Sequence, residues 1–398
     1  MNGPTFPFGD WGTDLSPRYA ELCTDPEPAH QVTTVTGDRM WLVTRHELAR
    51  KILTDPLVSA TAALAPDAPR QEPVPQRGPD GTNDALTALR EAGLHRLLAD
   101  ALGAGSVRRH RDWTRRQAGA MVAELTGPGG CADLVTGLVR PLPFAMLCRV
   151  LVGPLDDADR DLLNEWGDVM LSWGPPFGEH THDELTAAGG KAYTFFLERL
   201  PELAAAPGPH LLGRVARAGA LPPADLAVVA MMLFIAGYRT TSAFLGNALV
   251  TLLRRPDVMR AVREDPGVTG LVVEELLRHT PMATGGVKRL AVADVEVGGM
   301  TIGRGQGILV ALEGANHDPR VFADPDAFDP TRPERQHVAF GFGKHYCPGN
   351  QLARMQITAA VRAVAEHTPE LRPAVPAEEL TWQRAAAFRR LRSLPVTW

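Results

Sequence analysis

Phe340-Gly341-Phe342-Gly343-Lys344-His345-Tyr346-Cys347-Pro348-Gly349 is the stretch on which the fold of this chain turns. Glycines at 341, 343 and 349 let the backbone turn tightly and approach a bulky partner closely. Pro348 suits the first turn of a helix, where its missing N–H costs nothing, and Asn350-Gln351-Leu352-Ala353-Arg354-Met355 continues as helix. Cys347 therefore stands at a helix N-terminus, where the dipole and free N–H groups favour the thiolate.

A thiolate needs a metal or a reaction to justify it. No second Cys or His lies at zinc spacing, so a closed zinc site does not fit. A single axial thiolate on haem iron fits better, because the macrocycle supplies the other four ligands. The alternative that the segment alone leaves open is a buried structural cysteine in a Gly-rich turn.

Outward from that turn the pattern is mostly helical. A helix of roughly 30 residues is predicted from just after Pro222-Pro223 to Arg254-Arg255, where Pro256 stops it. It would span about 45 Å. A further helix is expected around Leu271–His279. Helices broken at Gly127-Pro128-Gly129-Gly130 and Trp173-Gly174-Pro175-Pro176 fill the chain from Ala85 to about Leu200. Val32-Thr33-Thr34-Val35 and Met40-Trp41-Leu42-Val43 flank Thr36-Gly37-Asp38-Arg39 as a β-hairpin, and short strand-like pieces run from Val287 to Val310. Thr61 to Asp84 carries Pro66, Pro69, Pro73, Pro75 and Pro79 and reads as a long irregular loop. No composition break divides the chain, so residues 1–398 read as a single, mainly α domain with small peripheral sheets.

Composition excludes several classes. Among 398 residues, 41 Lys and Arg face 46 Asp and Glu, a net charge of −5. That balance argues against non-specific nucleic-acid binding, which depends on neutralising phosphates. Cys23, Cys131, Cys148 and Cys347 show no close pairing, which removes a disulfide scaffold or CxxC site. The start, Met1 to Pro7, has no basic segment leading into an apolar stretch. The longest apolar run, Leu226 to Ala236, falls short of the roughly 20 residues of a membrane span. A cytoplasmic monomer without nucleic-acid or membrane partners is expected.

The cysteine segment resembles the haem-binding signature of the cytochrome P450 family at Phe340, Gly341, Gly343, His345, Cys347 and Gly349. Three further stretches are similar to signatures of that family: Glu275-Leu276-Leu277-Arg278, Phe328-Asp329-Pro330-Thr331-Arg332, and Ala236-Gly237-Tyr238-Arg239-Thr240-Thr241. The resemblance covers nearly the whole chain. It implies a triangular helical prism with haem b (iron protoporphyrin IX) held between the central helix and the Cys347 loop. Cys347 is then the iron ligand. Glu275, Arg278 and Arg332 form a structural triad, in which Glu275 and Arg278 sit one helical turn apart and can pair. The haem propionates need cations or donors, which the resemblance places at His345, Arg289 and the helix near Leu94–Leu102. There the family's His-x-x-x-Arg reads Glu91 and His95; His95 can donate, whereas Glu91 would repel a propionate.

The central helix carries the main departure. Thr240 can bond back to the carbonyl of Ala236 and loosen the helix locally. In the family an acid precedes this threonine and helps deliver protons; here Arg239 stands there and cannot shuttle a proton as a carboxylate does. Arg239 reads as a substrate or water contact, as in the family's fatty-acid peroxygenases (which lack the threonine), or as a partner in an ion pair pointing away. Gly237, mid-helix, admits either a flat ligand or close helix packing.

The resemblance implies an oxidation of a mid-sized natural-product intermediate, with dioxygen and two electrons from a ferredoxin and its reductase. Hydroxylation or epoxidation leads; the alternatives are radical C–C or C–N coupling without oxygen insertion, a peroxygenase, and a haem sensor without turnover. The candidate pocket is walled by the Pro-rich loop before Ala85, the Met170–Phe177 region with Trp173 and Phe177, Phe234 to Thr240 with Ala236, Met282–Gly286, and Ala385–Phe388, mostly apolar or small, with core packing the alternative for each of these side chains. Arg108-Arg109-His110-Arg111 and Arg115-Arg116 form the basic stretch that an acidic ferredoxin would meet.

Overall fold

Pro223 begins the longest helix, Pro223–Leu253, at the position where a missing N–H is harmless, and the helix ends at Arg254 just before Pro256. It is the predicted helix, almost residue for residue. The structure, a computed structural model, describes residues 4–9, 12–71, 85–127, 129–170, 180–206, 208–283, 285–368, 370–383 and 387–398. Trp173, Phe177, Ala385 and the Pro-rich stretch 72–84 lie outside the described residues. The chain gathers into two compact units, each assembled from separate segments.

One unit comprises residues 77–266, 348–386 and 390–398. Its core joins Ala118 and Val122 of helix Ala104–Leu125, Leu138 and Leu142, Leu245 and Leu249 of the central helix, and Ala360 and Val364 of helix Asn350–His367. By length and composition, 135–152 and the central helix are each apolar enough to cross a membrane. However, 61% of the qualifying window in each is buried inside the protein, so both read as core segments. The π-helical turns Val135–Val139 and Cys148–Val152, which flank Pro141–Leu147, had no visible sequence signal. A small sheet pairs Pro395–Thr397 with Arg372–Pro373 and with Cys131–Asp133, directly after the predicted glycine break.

The other unit comprises residues 1–76, 267–347 and 387–389. The predicted hairpin forms from His30–Thr34 and Arg39–Val43, antiparallel, with Val32 opposite Met40. Gly307–Val310 then joins Arg39–Val43 in parallel, and Val287–Ala291 pairs with Gly307–Val310 antiparallel, building a six-stranded sheet. Its buried face packs Val43, Ile52, Val58, Ile308 and Val310 into one cluster. The helix foreseen around Leu271 runs Thr269–His279. One expectation is corrected: Pro348 is not in the helix after the cysteine, because Gly349 caps that helix and Asn350 begins it.

Candidate functional site

The cysteine turn is tied down by its own backbone. Cys347 N–H donates to Phe340 O at 3.0 Å, Tyr346 N–H to Gly343 O at 3.0 Å, and Gly341 N–H to Val338 O at 2.8 Å. Gly341 and Gly343 adopt φ of 72° and 73°, the left-handed region that side chains avoid. A Cβ at Gly343 would also lie 2.7 Å from Thr54 Cγ2 and 3.2 Å from Leu53 O, whereas at Gly341 its nearest contact is His345 O at 3.8 Å. Gly343→Ala is therefore expected to cost more than Gly341→Ala, the latter near about 1 kcal/mol and the former toward about 3 kcal/mol. Thermal unfolding of the two variants checks the order.

Behind the turn sits a buried ion cluster. Glu275 accepts from Arg278 Nη2 at 2.7 Å and Nε at 2.9 Å, from Arg332 Nε at 3.2 Å, and from Asp329 N–H at 2.9 Å. The remaining guanidinium donors bond backbone carbonyls: Arg278 to Asn316, Pro325 and Ala327, and Arg332 to Ala323 and Ala327. Asn316 passes this rigidity on, since its Oδ1 accepts from Val338 N–H at 2.7 Å, and Val338 O holds Gly341. Three hydrogen bonds thus connect the triad to the cysteine turn. His345 is half-buried on a 3₁₀ turn, Gly343–His345, and Arg289 is buried on strand Val287–Ala291.

In the other unit, Thr240 donates its hydroxyl hydrogen to Ala236 O, four residues back on the central helix. That bond loosens the helix at this turn. Gly237 has a packing reason for its size: a Cβ there would lie 2.8 Å from Leu147 Cδ2. Arg239 takes the ion-pair alternative. Its side chain, 2% exposed, pairs through Nη1 with Asp168 Oδ1 at 3.0 Å and donates through Nη2 to Asn164 O at 2.6 Å. Asp168 also receives Arg140 at 2.6 Å and Arg390 at 3.3 Å, so one carboxylate serves three guanidiniums. Burial pushes the Arg239 guanidinium below its ordinary range, and burial with the neighbouring Arg239 charge brings Arg390 down to about 10. Tyr238 donates to Asn164 Oδ1 at 2.5 Å. The guanidinium is thus engaged inside the protein rather than held out for a substrate. Sequence reasoning missed Asp168 and Arg390; Arg390 stands among Arg384, Arg389 and Arg392 in the sequence, and nothing there sets it apart.

Phe234 is also reassigned. It is fully buried, with its ring 5.6 Å from Phe144, 6.0 Å from Phe196 and 6.2 Å from Trp166, so it belongs to an aromatic core cluster and not to an open wall. Ala236 is exposed on the same helix. Met282 and Phe388 come together across a short antiparallel bridge, in which Ala283 faces Phe388 and Arg389 N–H donates to Met282 O at 2.7 Å. His95 is the exposed first residue of helix His95–Leu102, and Glu91 is exposed at the end of the preceding helix. Arg108, Arg109, Arg111, Arg115 and Arg116 are all exposed on helix Ala104–Leu125.

The cysteine turn by itself suits a porphyrin. Among the described residues no three His, Cys, Asp or Glu side chains gather as a metal cage, and a macrocycle needs only one protein sulfur. Along the central helix, Met232 and Ala236 are exposed and Thr240 is half-buried, one turn apart on a mostly apolar strip suited to a flat ring.

A family model described as Cytochrome P450 matches residues 211–367. Nocardicin C N-oxygenase of Nocardia uniformis subsp. tsuyamanensis is 33% identical, covering 99% of this chain and 98% of that protein. Mycinamicin IV hydroxylase/epoxidase of Micromonospora griseorubida is 31% identical over 99% of this chain and 98% of its own length. The crystal structure of HinD with NMFT and NO superposes with a TM-score of 0.89 at 33% identity, covering both chains completely.

Proposed function

This chain belongs to the cytochrome P450 family, and from that premise we propose that it inserts oxygen into a mid-sized, largely apolar intermediate of bacterial secondary metabolism, by hydroxylation or epoxidation. The observation that carries this reading is Cys347, held in a turn that three hydrogen bonds join to the Glu275–Arg278–Arg332 cluster. The substrate class is supported by the relatives' names, an N-oxygenase of nocardicin C and a hydroxylase/epoxidase of mycinamicin IV.

Haem b would be held by Cys347, with His345 and Arg289 at its propionates, and would supply dioxygen activation, which a thiolate ligand favours. The chain's own contribution is placement. The hydrogen-bonded turn holds the backbone from which Cys347 projects. Thr240 holds its proton on Ala236 O and, when that bond opens, presents a hydroxyl that can pass a proton onward. Arg239 contributes no proton, being occupied by Asp168 and Asn164. The exposed arginines of helix Ala104–Leu125 suit an acidic ferredoxin as electron donor.

Reduced protein under carbon monoxide is expected to show the red-shifted band of thiolate-ligated haem; the spectrum of an imidazole-ligated pigment overturns the reading. A compound found by its spin-state shift is then turned over with ferredoxin, its reductase and labelled dioxygen. One labelled oxygen atom in the product is expected. An oxidised product without label assigns the chain to radical coupling instead.

A further inference from the structure

Glu313 is a buried acid that the chemistry above does not use. It lies on the short helix Leu312–Asn316, and its Oε1 accepts two consecutive backbone donors, Ala283 N–H at 2.6 Å and Met282 N–H at 3.3 Å. Burial pushes its carboxyl above the usual range, while those N–H groups and the charge of buried Arg389 pull the other way. The titratable neighbours facing it are few. Tyr19 is buried with its phenol pushed up, and His317, bonded through Nδ1 to Glu313 O, is brought down to about 4 by burial and stays neutral.

An ionisable side chain in such a place is costly, and an apolar residue would fill the space without that cost. What the carboxylate does provide is aim: both of its backbone donors belong to one segment. That segment is itself one side of a bridge, since Ala283 faces Phe388 and Met282 O accepts from Arg389 N–H. Arg389 is anchored in turn, donating through Nη1 to Gly12 O at 2.9 Å and Asp14 O at 2.8 Å. One polar frame therefore fixes Met282, Ala283 and Phe388 together, which the sequence reading puts on the wall of the candidate pocket. We propose that Glu313 is a positioning residue for substrate selection: by holding Met282 and Ala283 against Phe388 it sets how large a molecule the wall accepts. The proposal rests on the haem-enzyme reading above.

The test uses the full-length, haem-loaded protein and two probes followed by their Soret shifts. Imidazole needs only the iron, whereas phenylimidazole also needs the wall. Glu313→Ala removes the acceptor, and Glu313→Gln keeps an oxygen in its place. Phenylimidazole is expected to bind about fivefold more weakly to the Ala variant, the scale of a lost buried hydrogen bond. The Gln variant should bind it as the parent does, and imidazole affinity and the carbon monoxide band should be unchanged in both. Should the Ala variant fail to retain haem, Glu313→Asp, one methylene shorter, serves with the same expectation of selective weakening. Equal phenylimidazole affinity in the parent and the shortened variant, or a parallel loss of imidazole, overturns the proposal. Absence of the thiolate band in the parent protein would instead remove the haem-enzyme reading itself.

Discussion

Glu275→Gln is expected to cost about 3–5 kcal/mol of stability, the range for breaking a buried ion pair from one side, and to yield protein that no longer retains haem. The substitution keeps the shape and removes the charge. Arg278 and Arg332, with side chains 1% and 5% exposed, would then be two buried cations without an anion. Neither can leave, because each also holds backbone carbonyls of the 316–327 stretch. The strain passes through Asn316 to Val338 and Gly341, and so to the turn that presents Cys347. A domain's whole margin is about 5–15 kcal/mol, so the loss is a large part of it. Denaturant unfolding of the apoprotein measures the first effect and the carbon monoxide spectrum the second. Parent-like values in both would mean that the triad does not support the turn.

Why this cluster was legible and others were not is a matter of sequence distance. Glu275 and Arg278 announce themselves because three residues on a helix is one turn, and the cysteine turn because Gly341 and Gly343 sit where φ is positive. Thr240 bonding to Ala236 follows from the same helical spacing. Asp168 and Glu313 carry no such mark. Their partners come from Arg140, Arg239 and Arg390 in one case and from Met282, Ala283 and Arg389 in the other, and only tertiary packing brings these together. Phe234 was open to two readings for a related reason. An aromatic on an apolar helix looks the same from the sequence whether it lines a pocket or meets Phe144, Phe196 and Trp166. Gly237 had two sufficient explanations, and the position of Leu147 supplies one of them.

The unusual arginine before Thr240 leads to the second large effect, which has an asymmetry that identifies its cause. Asp168→Asn is expected to destabilise the protein by about 3 kcal/mol, the low end of the buried-pair range because Asp168 is 38% exposed and partly screened. It leaves Arg140, Arg239 and Arg390 mutually repelling, with Arg239 almost wholly buried. Arg239→Met should cost far less, within about 1.5 kcal/mol, since an unbranched apolar chain replaces a desolvated cation. Asp168 then keeps two guanidiniums, and Gly167, where a Cβ would lie 2.6 Å from Arg239 Nε, loses its tight neighbour. An ion pair judged by its geometry alone would predict similar costs for removing either partner; the three-to-one charge count predicts a marked difference. Urea unfolding with an unchanged m-value reads that difference directly. The same Arg239→Met protein decides between the two roles open to this side chain. If it clasps the interior, ligands that shift the spin state of the parent should bind the variant with equal affinity. If those shifts vanish while unfolding is unaltered, Arg239 reaches the substrate after all, and the ion pair with Asp168 is only its resting position.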